Sequence, residues 1–198
     1  MQSSASSFIP KQESYYHNDV LNRDRITTPG SQYLLKLLRG GYLGDYASRQ
    51  DLKVLDVGCG SGFDLVTIER LGWQSYGCDI SQAIVDYAAA NAAKFGCQPE
   101  LKVGDNQRLP FADCIFDILL STHVIHYLDS AASIAEALSE YARVLKPGGR
   151  LIMQTGHPEN WLLQGAQPLG GHLFRVKNQQ DFRDEEALFV FENREMIE

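Results

Sequence analysis

The sequence predicts a doubly wound α/β domain: a mostly parallel sheet with helices on both faces. Three observations carry that expectation. Over residues 52–154, short apolar runs alternate with helix-length amphipathic segments, a pattern that needs crossover connections and therefore parallel strands. The run at 116–121 is nearly all apolar, as a strand covered on both faces must be. A chain of 198 residues, 44% of them apolar, suffices for one sizeable core and is too short for two comfortable ones.

The elements follow in order. Pro29-Gly30-Ser31 opens a helix on which Tyr33, Leu34, Leu37 and Leu38 share a face, and Gly40-Gly41 stops it. Before Pro29 the chain is poor in apolar residues and reads as a cap over something else. Residues 52–57 form the first strand and run straight into Gly58-Cys59-Gly60-Ser61-Gly62. A helix carrying Leu65, Ile68 and Leu71 on one side then ends at Gly72. Residues 75–80 are a second strand. Ser81 caps a helix with Ile84, Tyr87, Ala88, Asn91, Ala92 and Phe95 on its inner face, and Gly96 stops it. Residues 101–103 are a third strand, 116–121 a fourth, and 130–145 a helix with Ile134, Leu138, Tyr141, Ala142 and Leu145 inward. Lys146-Pro147-Gly148-Gly149 turns into a fifth strand at 150–154.

In such a sheet ligands sit beyond the carboxyl ends of the strands, near the point where strand order reverses. After the first strand come Gly58, Gly60 and Gly62, which permit a tight turn, close backbone approach and helix N–H groups aimed at a ligand. After the second comes Asp79, a carboxylate placed to accept both hydroxyls of a ribose. After the third comes Asp105, a further acceptor where an adenine amino group can be held. A glycine turn followed by two acidic strand ends, at a pitch of roughly 20 residues, describes a nucleoside-containing ligand.

At this point the chain resembles the class I S-adenosylmethionine-dependent methyltransferases, in particular the small-molecule branch typified by ubiquinone and menaquinone biosynthesis. Residues 54–62 look like the first motif of that family and residues 77–81 like the second. Gly104-Asp105-Asn106-Gln107-Arg108-Leu109-Pro110-Phe111 is similar to its D-x-x-x-L-P-F loop, and residues 116–126 and 145–149 to its fourth and fifth motifs. The resemblance covers about residues 52–154. It implies a Rossmann-like fold, S-adenosyl-L-methionine as cofactor with S-adenosyl-L-homocysteine as product, and methyl transfer; it does not name the acceptor. By the same resemblance Gly58, Cys59, Gly60 and Gly62 would hold the methionine part, and Asp56 would orient their turn. Asp79 would bind the ribose hydroxyls, Ile80 would pack on the adenine, and Asp105, with Asn106 beside it, would accept from the adenine amino group. Ser121 is expected near the methionine end and His123 near the transferred methyl, as a candidate general base. His126 and His157 lie on the same side of the sheet, where packing and turn roles compete with chemistry. Tyr15, Tyr16 and Arg25 precede the core, where the family often folds a helix over its cofactor; aromatic faces there would shield a sulfonium.

The sequence divides into an N-terminal cap with the first helices (1–50), a cofactor-binding core (51–156), and a lid-like or incomplete C-terminal part of the same domain (157–198). In this last part only 172–176 and 187–191 read as strands, and 192–198 reads as the opening of a helix that is cut off, whereas the family completes a seven-stranded sheet. The two strands are open to two placements, a hairpin lid over the acceptor site or a stand-in for the missing pair. A net charge of −7 disfavours a nucleic-acid or anionic-membrane surface, so the expected partner is a small-molecule acceptor. No run approaches the roughly 20 apolar residues of a membrane span, and Met1 to Ser7 lacks the apolar stretch of a secretory signal. Cys59, Cys78, Cys97 and Cys114 show no C-x-x-C spacing and are expected as buried reduced thiols, with no metal site, in a cytoplasmic protein. Three rival readings stand. A nicotinamide dehydrogenase would want glycine where Phe63 stands. A nucleic-acid (tRNA) methyltransferase that acts on base amino groups would want Asn/Asp-Pro-Pro-Tyr/Phe where Ser121-Thr122-His123-Val124 stands. The third is a non-catalytic partner subunit of the same fold.

Overall fold

The computed structural model describes residues 32–39, 41–179, 181, 183–193 and 196. The expected cap with Tyr15, Tyr16 and Arg25, the helix start at 29–31, and the side chain of Tyr33 lie outside the described residues. Helix α1 (Gln32–Arg39) buries Leu34 and Leu38. Then follow β1 (Lys53–Val57), α2 (Phe63–Arg70), β2 (Gln74–Asp79), α3 (Gln82–Lys94), β3 (Glu100–Val103), β4 (Phe116–Thr122), α4 (Ala131–Val144) and β5 (Leu145–Gln154). The five strands lie in the order β3-β2-β1-β4-β5, and every pair is parallel. Strand order reverses between β1 and β4, the switch point at which such sheets bind ligands. The expected doubly wound α/β fold is the observed one.

Each strand's two-residue alternation feeds two cores. On one face Leu55, Val57, Leu119 and Cys78 meet α4 through Ile134, Ala137 and Tyr141, together with Leu109, Phe111 and Phe116. On the other, Val54, Ile118 and Leu120 meet α1 and α2 through Leu34, Leu38, Leu65 and Ile68, with Trp73 and Ala88 of α3. At the amino ends of the strands, buried Asp117 takes Lys146 Nζ at 2.8 Å and the Lys53 N–H at 3.0 Å, tying β4 to β1 and β5. Burial pushes the Asp117 carboxyl up, but Lys146, the Lys53 N–H and Arg49 more than reverse that, so it ionises below its ordinary range.

Beyond β5 the chain does not extend the parallel sheet, so the strands there are no stand-in for the family's missing pair. β6 (Gln167–Gly170), β7 (Leu173–Arg175) and β8 (Ala187–Phe189) form a separate antiparallel sheet in the order β6-β7-β8, and none of them pairs with β5. The expected hairpin is present with a third strand added. The sequence hides β6 because its four residues include Pro168 and Gly170 and all are exposed. β8 packs against the turn at Ile125–Tyr127. Leu162, Val176 and Leu188 cluster there with Tyr127, while Phe189 and Phe191 extend the α4-side core. Cys59, Cys78 and Cys97 are buried free thiols, but Cys114 is exposed, contrary to expectation. It sits at φ +55° in the turn that leads into β4, one residue before the chain enters the core.

Candidate cofactor and acceptor site

The glycine turn begins where β1 leaves the sheet. The Gly58 and Cys59 N–H groups both donate to the Cys78 carbonyl, at 2.8 and 3.0 Å, which stitches the turn to β2. Gly58 and Gly62 are left-handed, at φ +70° and +75°. A Cβ on Gly58 would lie 2.4 Å from Val124 Cγ2, and one on Gly62 would lie 3.0 Å from the Ala88 carbonyl oxygen. Glycine is therefore needed twice over at both positions, for conformation and for space.

Asp79 ends β2 and is buried. Its Oδ2 accepts from the Gly60 N–H at 3.0 Å and its Oδ1 from the Ile80 N–H at 2.8 Å. The carboxylate thus locks the glycine turn to the start of α3, and it retains lone pairs for further donors. Burial pushes it above its ordinary pKa, while the N–H groups of Gly60, Ile80 and Ser81 pull it back. Ser81 occupies the expected cap position without a side-chain cap bond. Ile80, beside it, is exposed, an apolar surface at the rim suited to the face of a base.

Asp56, Gly58, Cys59, Gly60, Ser61, Phe63, Asp64 and Thr122 line a cleft of about 150 Å³. Burial, then the charges of Asp64 and Asp79, hold the Asp56 carboxyl well above its ordinary range. Three carboxyls crowd one turn, and a positively charged group entering the cleft would relieve them. Asp64 is a site residue that sequence reasoning missed; its one signal is an acid in the first turn of the helix after the glycines.

Asp105 and Asn106 lie on the loop after β3. Asp105 is exposed, and its Oδ1 accepts from the N–H groups of Gln107 and Arg108 at 2.8 and 2.9 Å. Helix α4 grips the rest of the loop. Arg143 donates to the carbonyls of Leu109 and Phe111 and is itself held by Glu140 and Asp113, while Glu140 Oε2 accepts from the Leu109 N–H. Tyr141 donates to Asn106 Oδ1, and Gln107 donates to Glu136.

Ser121 needs correction. It is fully buried and its hydroxyl pairs with Tyr141 at 3.1 Å. Alternation sends Ser121 to the α4 face with Leu119, whereas Thr122 falls on the face of Asp56 and lines the cleft. His123 follows at φ +57°, exposed, its N–H bonded to the Gln154 carbonyl at 2.8 Å. His126 is buried in the next turn, and His157 is exposed with Nδ1 accepting from the Glu159 N–H. Arg183, from the segment before β8, reaches this corner, bidentate to Asp181 at 2.7 and 2.8 Å and hydrogen-bonded to Tyr127. No periodicity or motif could have brought a residue so distant in sequence to this turn. Among the described residues, no helix is long and apolar enough to cross a membrane, and no group of His, Cys, Asp and Glu is placed to hold a metal ion.

A left-handed glycine turn at the switch point of a parallel sheet, locked by an acid at the end of the neighbouring strand, is the arrangement with which doubly wound domains meet nucleoside-containing ligands. The family model described as a methyltransferase domain matches residues 55–153, and the chain belongs to that family, the class I S-adenosylmethionine-dependent methyltransferases. It is 37% identical over 112 residues to a demethylmenaquinone methyltransferase of Tropheryma whipplei, covering 56% of this chain and 44% of that protein. It is 38% identical over 100 residues to a probable tRNA methyltransferase 9B of Mus musculus, covering 50% and 21%. The chain therefore spans less than half the length of either relative. A crystal structure of a protein from Pyrococcus horikoshii matches 93% of this chain and 86% of its own, with a TM-score of 0.71 and 23% identity, a likeness of fold.

Proposed function

We propose that the protein transfers the methyl group of S-adenosyl-L-methionine to a small-molecule oxygen, nitrogen or carbon acceptor. The observation that carries this reading is the acidic cleft lined by Asp56 and Asp64, with Asp79 buried behind a glycine turn in which Gly58 and Gly62 leave no room for a Cβ. A cofactor bearing an ammonium and a sulfonium supplies the positive charge this cleft lacks, and its sulfonium carries a methyl already activated for transfer. Gly58, Cys59, Gly60 and Gly62 would cradle its methionine end, with Asp56 beneath. Asp79 would turn its remaining lone pairs to the ribose hydroxyls, Ile80 would cover the adenine, and Asp105 and Asn106 would face its amino edge. The protein's task is then alignment, with the nucleophile held about 3–3.5 Å from the methyl carbon and water excluded.

Small-molecule methyl transfer is favoured over tRNA by the net charge of −7 and by the demethylmenaquinone relative; the tRNA relative supports the alternative. Titration calorimetry should show S-adenosyl-L-homocysteine binding, and methyl-labelled cofactor should pass label to a component of a metabolite extract. Label entering bulk tRNA and no small molecule would reverse the substrate class. Once an acceptor is known, His123→Ala should leave cofactor affinity within about twofold and lower turnover about 10²-fold, the low end for a general base. Equal turnover would return His123 to the surface.

A further inference from the structure

Resting on that reading, we propose that Tyr141 of α4 is a positioning residue. With Ser121 behind it, it fixes the side-chain amide of Asn106 so that Asp105 and Asn106 together select adenine. The starting observation is a chain of three side chains. Ser121, fully buried at the end of β4, pairs its hydroxyl with that of Tyr141 at 3.1 Å, and the Tyr141 hydroxyl meets Asn106 Oδ1 on the loop after β3. The buried protons give this chain its direction. Tyr141 is the only hydrogen-bond partner of the Ser121 hydroxyl among the described residues, and a buried donor without an acceptor is rarer than an oxygen with a spare lone pair. Ser121 therefore donates to Tyr141, and Tyr141 donates to Asn106 Oδ1. The amide is left with its Nδ2 turned away from Tyr141.

The loop then offers a matched pair of polar groups. Asp105 spends Oδ1 on the N–H groups of Gln107 and Arg108. Neither its Oδ2 nor Asn106 Nδ2 has a hydrogen-bond partner among the described residues. Asp105 is exposed and Asn106 half-buried, so both are open to a ligand. An acceptor beside a donor complements adenine, whose amino group donates and whose neighbouring ring nitrogen accepts. Hypoxanthine sets a carbonyl oxygen against the carboxylate and, on its pairing edge, an N–H against the amide donor. An Asn106 amide free to turn could meet that N–H with Oδ1, so the discrimination depends on Tyr141. Tyr141 itself is buried in the α4-side core and acts only through Asn106. The loop keeps its place without the Tyr141 hydroxyl, because Arg143 holds the Leu109 and Phe111 carbonyls and Glu140 holds the Leu109 N–H. What goes is the orientation of one amide.

The test measures, by calorimetry on the full chain, the affinities of S-adenosyl-L-homocysteine and of S-inosylhomocysteine, in which hypoxanthine replaces adenine. The parent should prefer the adenine ligand by about tenfold or more, the scale of one base-edge contact pair. Tyr141→Phe should narrow that preference about threefold to tenfold, the worth of one hydrogen bond. Because Tyr141→Phe also strands the Ser121 hydroxyl, a double variant, Ser121→Ala with Tyr141→Phe, separates positioning from stability. Removing both partners should recover melting temperature while the preference stays narrowed. In the parent, the Asn106 side-chain amide protons should shift on binding the adenine ligand and not the hypoxanthine one; this measurement decides even where a variant fails to fold. A parent without the preference, a Phe variant that keeps it in full, a double variant that regains it, or amide protons that move alike with both ligands overturns the positioning role and spares the cofactor reading. Failure of the parent to bind S-adenosyl-L-homocysteine overturns the cofactor reading and the role of Tyr141 with it.

Discussion

The glycine-turn end of the sheet and the corner under β8 lie on the same edge of the fold but are built by opposite means. At the first, every chemical group stands within a few residues of the end of its own strand: Asp56 inside β1 and the glycines after it, Asp79 as the last residue of β2, Asp105 after β3. Backbone hydrogen bonds fix them, as between Asp79 and the N–H groups of Gly60 and Ile80. At the second, His123 and His126 follow β4, but Arg183 comes from the connection between β7 and β8 of the second sheet. The first is local and polar, shaped by turn geometry; the second is assembled by apolar packing of Leu162, Val176 and Leu188 on Tyr127. A site made of strand ends belongs to the fold, whereas a corner made by an appended sheet can change without disturbing it.

The largest effect should come from breaking the local end at its tightest point. Gly58→Ala would place a methyl 2.4 Å from Val124 Cγ2 at φ +70°. Left-handed backbone for a non-glycine costs about 1–2 kcal/mol, and overpacking adds about 1–3 kcal/mol. Thermal stability should fall, S-adenosyl-L-homocysteine binding should drop below detection by calorimetry, and the histidine corner should move too, because Val124 lies between His123 and His126. A variant that melts and binds like the parent would remove the argument for close approach.

Asp79→Ala should follow, weakening cofactor binding by about 1.5–3 kcal/mol, the scale for a lost charged hydrogen-bonding group. Because the same carboxylate anchors the Gly60 N–H, the melting temperature should fall as well. Calorimetry that finds unchanged affinity would confine Asp79 to holding the turn.

These two residues also show how far the chain can be read unaided. The strands, the helices and the glycine–acid order were legible because each depends on contacts close in sequence, namely alternation, caps and turn glycines. Ser121 is expected near the methionine end because its position at the strand end is visible in the sequence while its parity is not. One residue further on, Thr122 has the face that counts. β6 was missed because an exposed four-residue strand containing Pro168 has no apolar signature, and Arg183 because no local rule carries a residue across a sheet.

The distant corner makes its own prediction through pH. His126 has a folded-state pKa of about 3 against 6.5 for the unperturbed side chain. The unfolded chain therefore takes up this proton first as pH falls. Its contribution to stability is complete above about pH 6.5 and is lost progressively toward pH 3, at no more than about 1.4 kcal/mol per pH unit. Asp56 and Asp79, with raised pKa values, act in the opposite sense, so the parent alone gives a mixed slope. Denaturant unfolding at pH 7 and pH 5 should show the parent losing more stability than His126→Gln over that interval. Equal losses would mean that the imidazole is not held neutral.

The smallest effect should come from Asp105→Ala. In contrast to Asp79 this carboxylate is exposed, and its Oδ1 is committed to the N–H groups of Gln107 and Arg108, so a single adenine amino group is the most the other oxygen can gain. Loss of one such hydrogen bond costs about 0.5–1.5 kcal/mol, a few-fold in affinity. Because α4 holds the loop independently through Arg143, Glu140 and Tyr141, the melting temperature should barely change. Arg143→Ala supplies the contrast, since it frees the Leu109 and Phe111 carbonyls and should loosen the same loop without touching its acid. If Asp105→Ala weakens S-adenosyl-L-homocysteine a few-fold while inosine-containing S-inosylhomocysteine binds parent and variant alike, the lost contact is to the amino group. Equal loss for both ligands would instead assign Asp105 to shaping its loop.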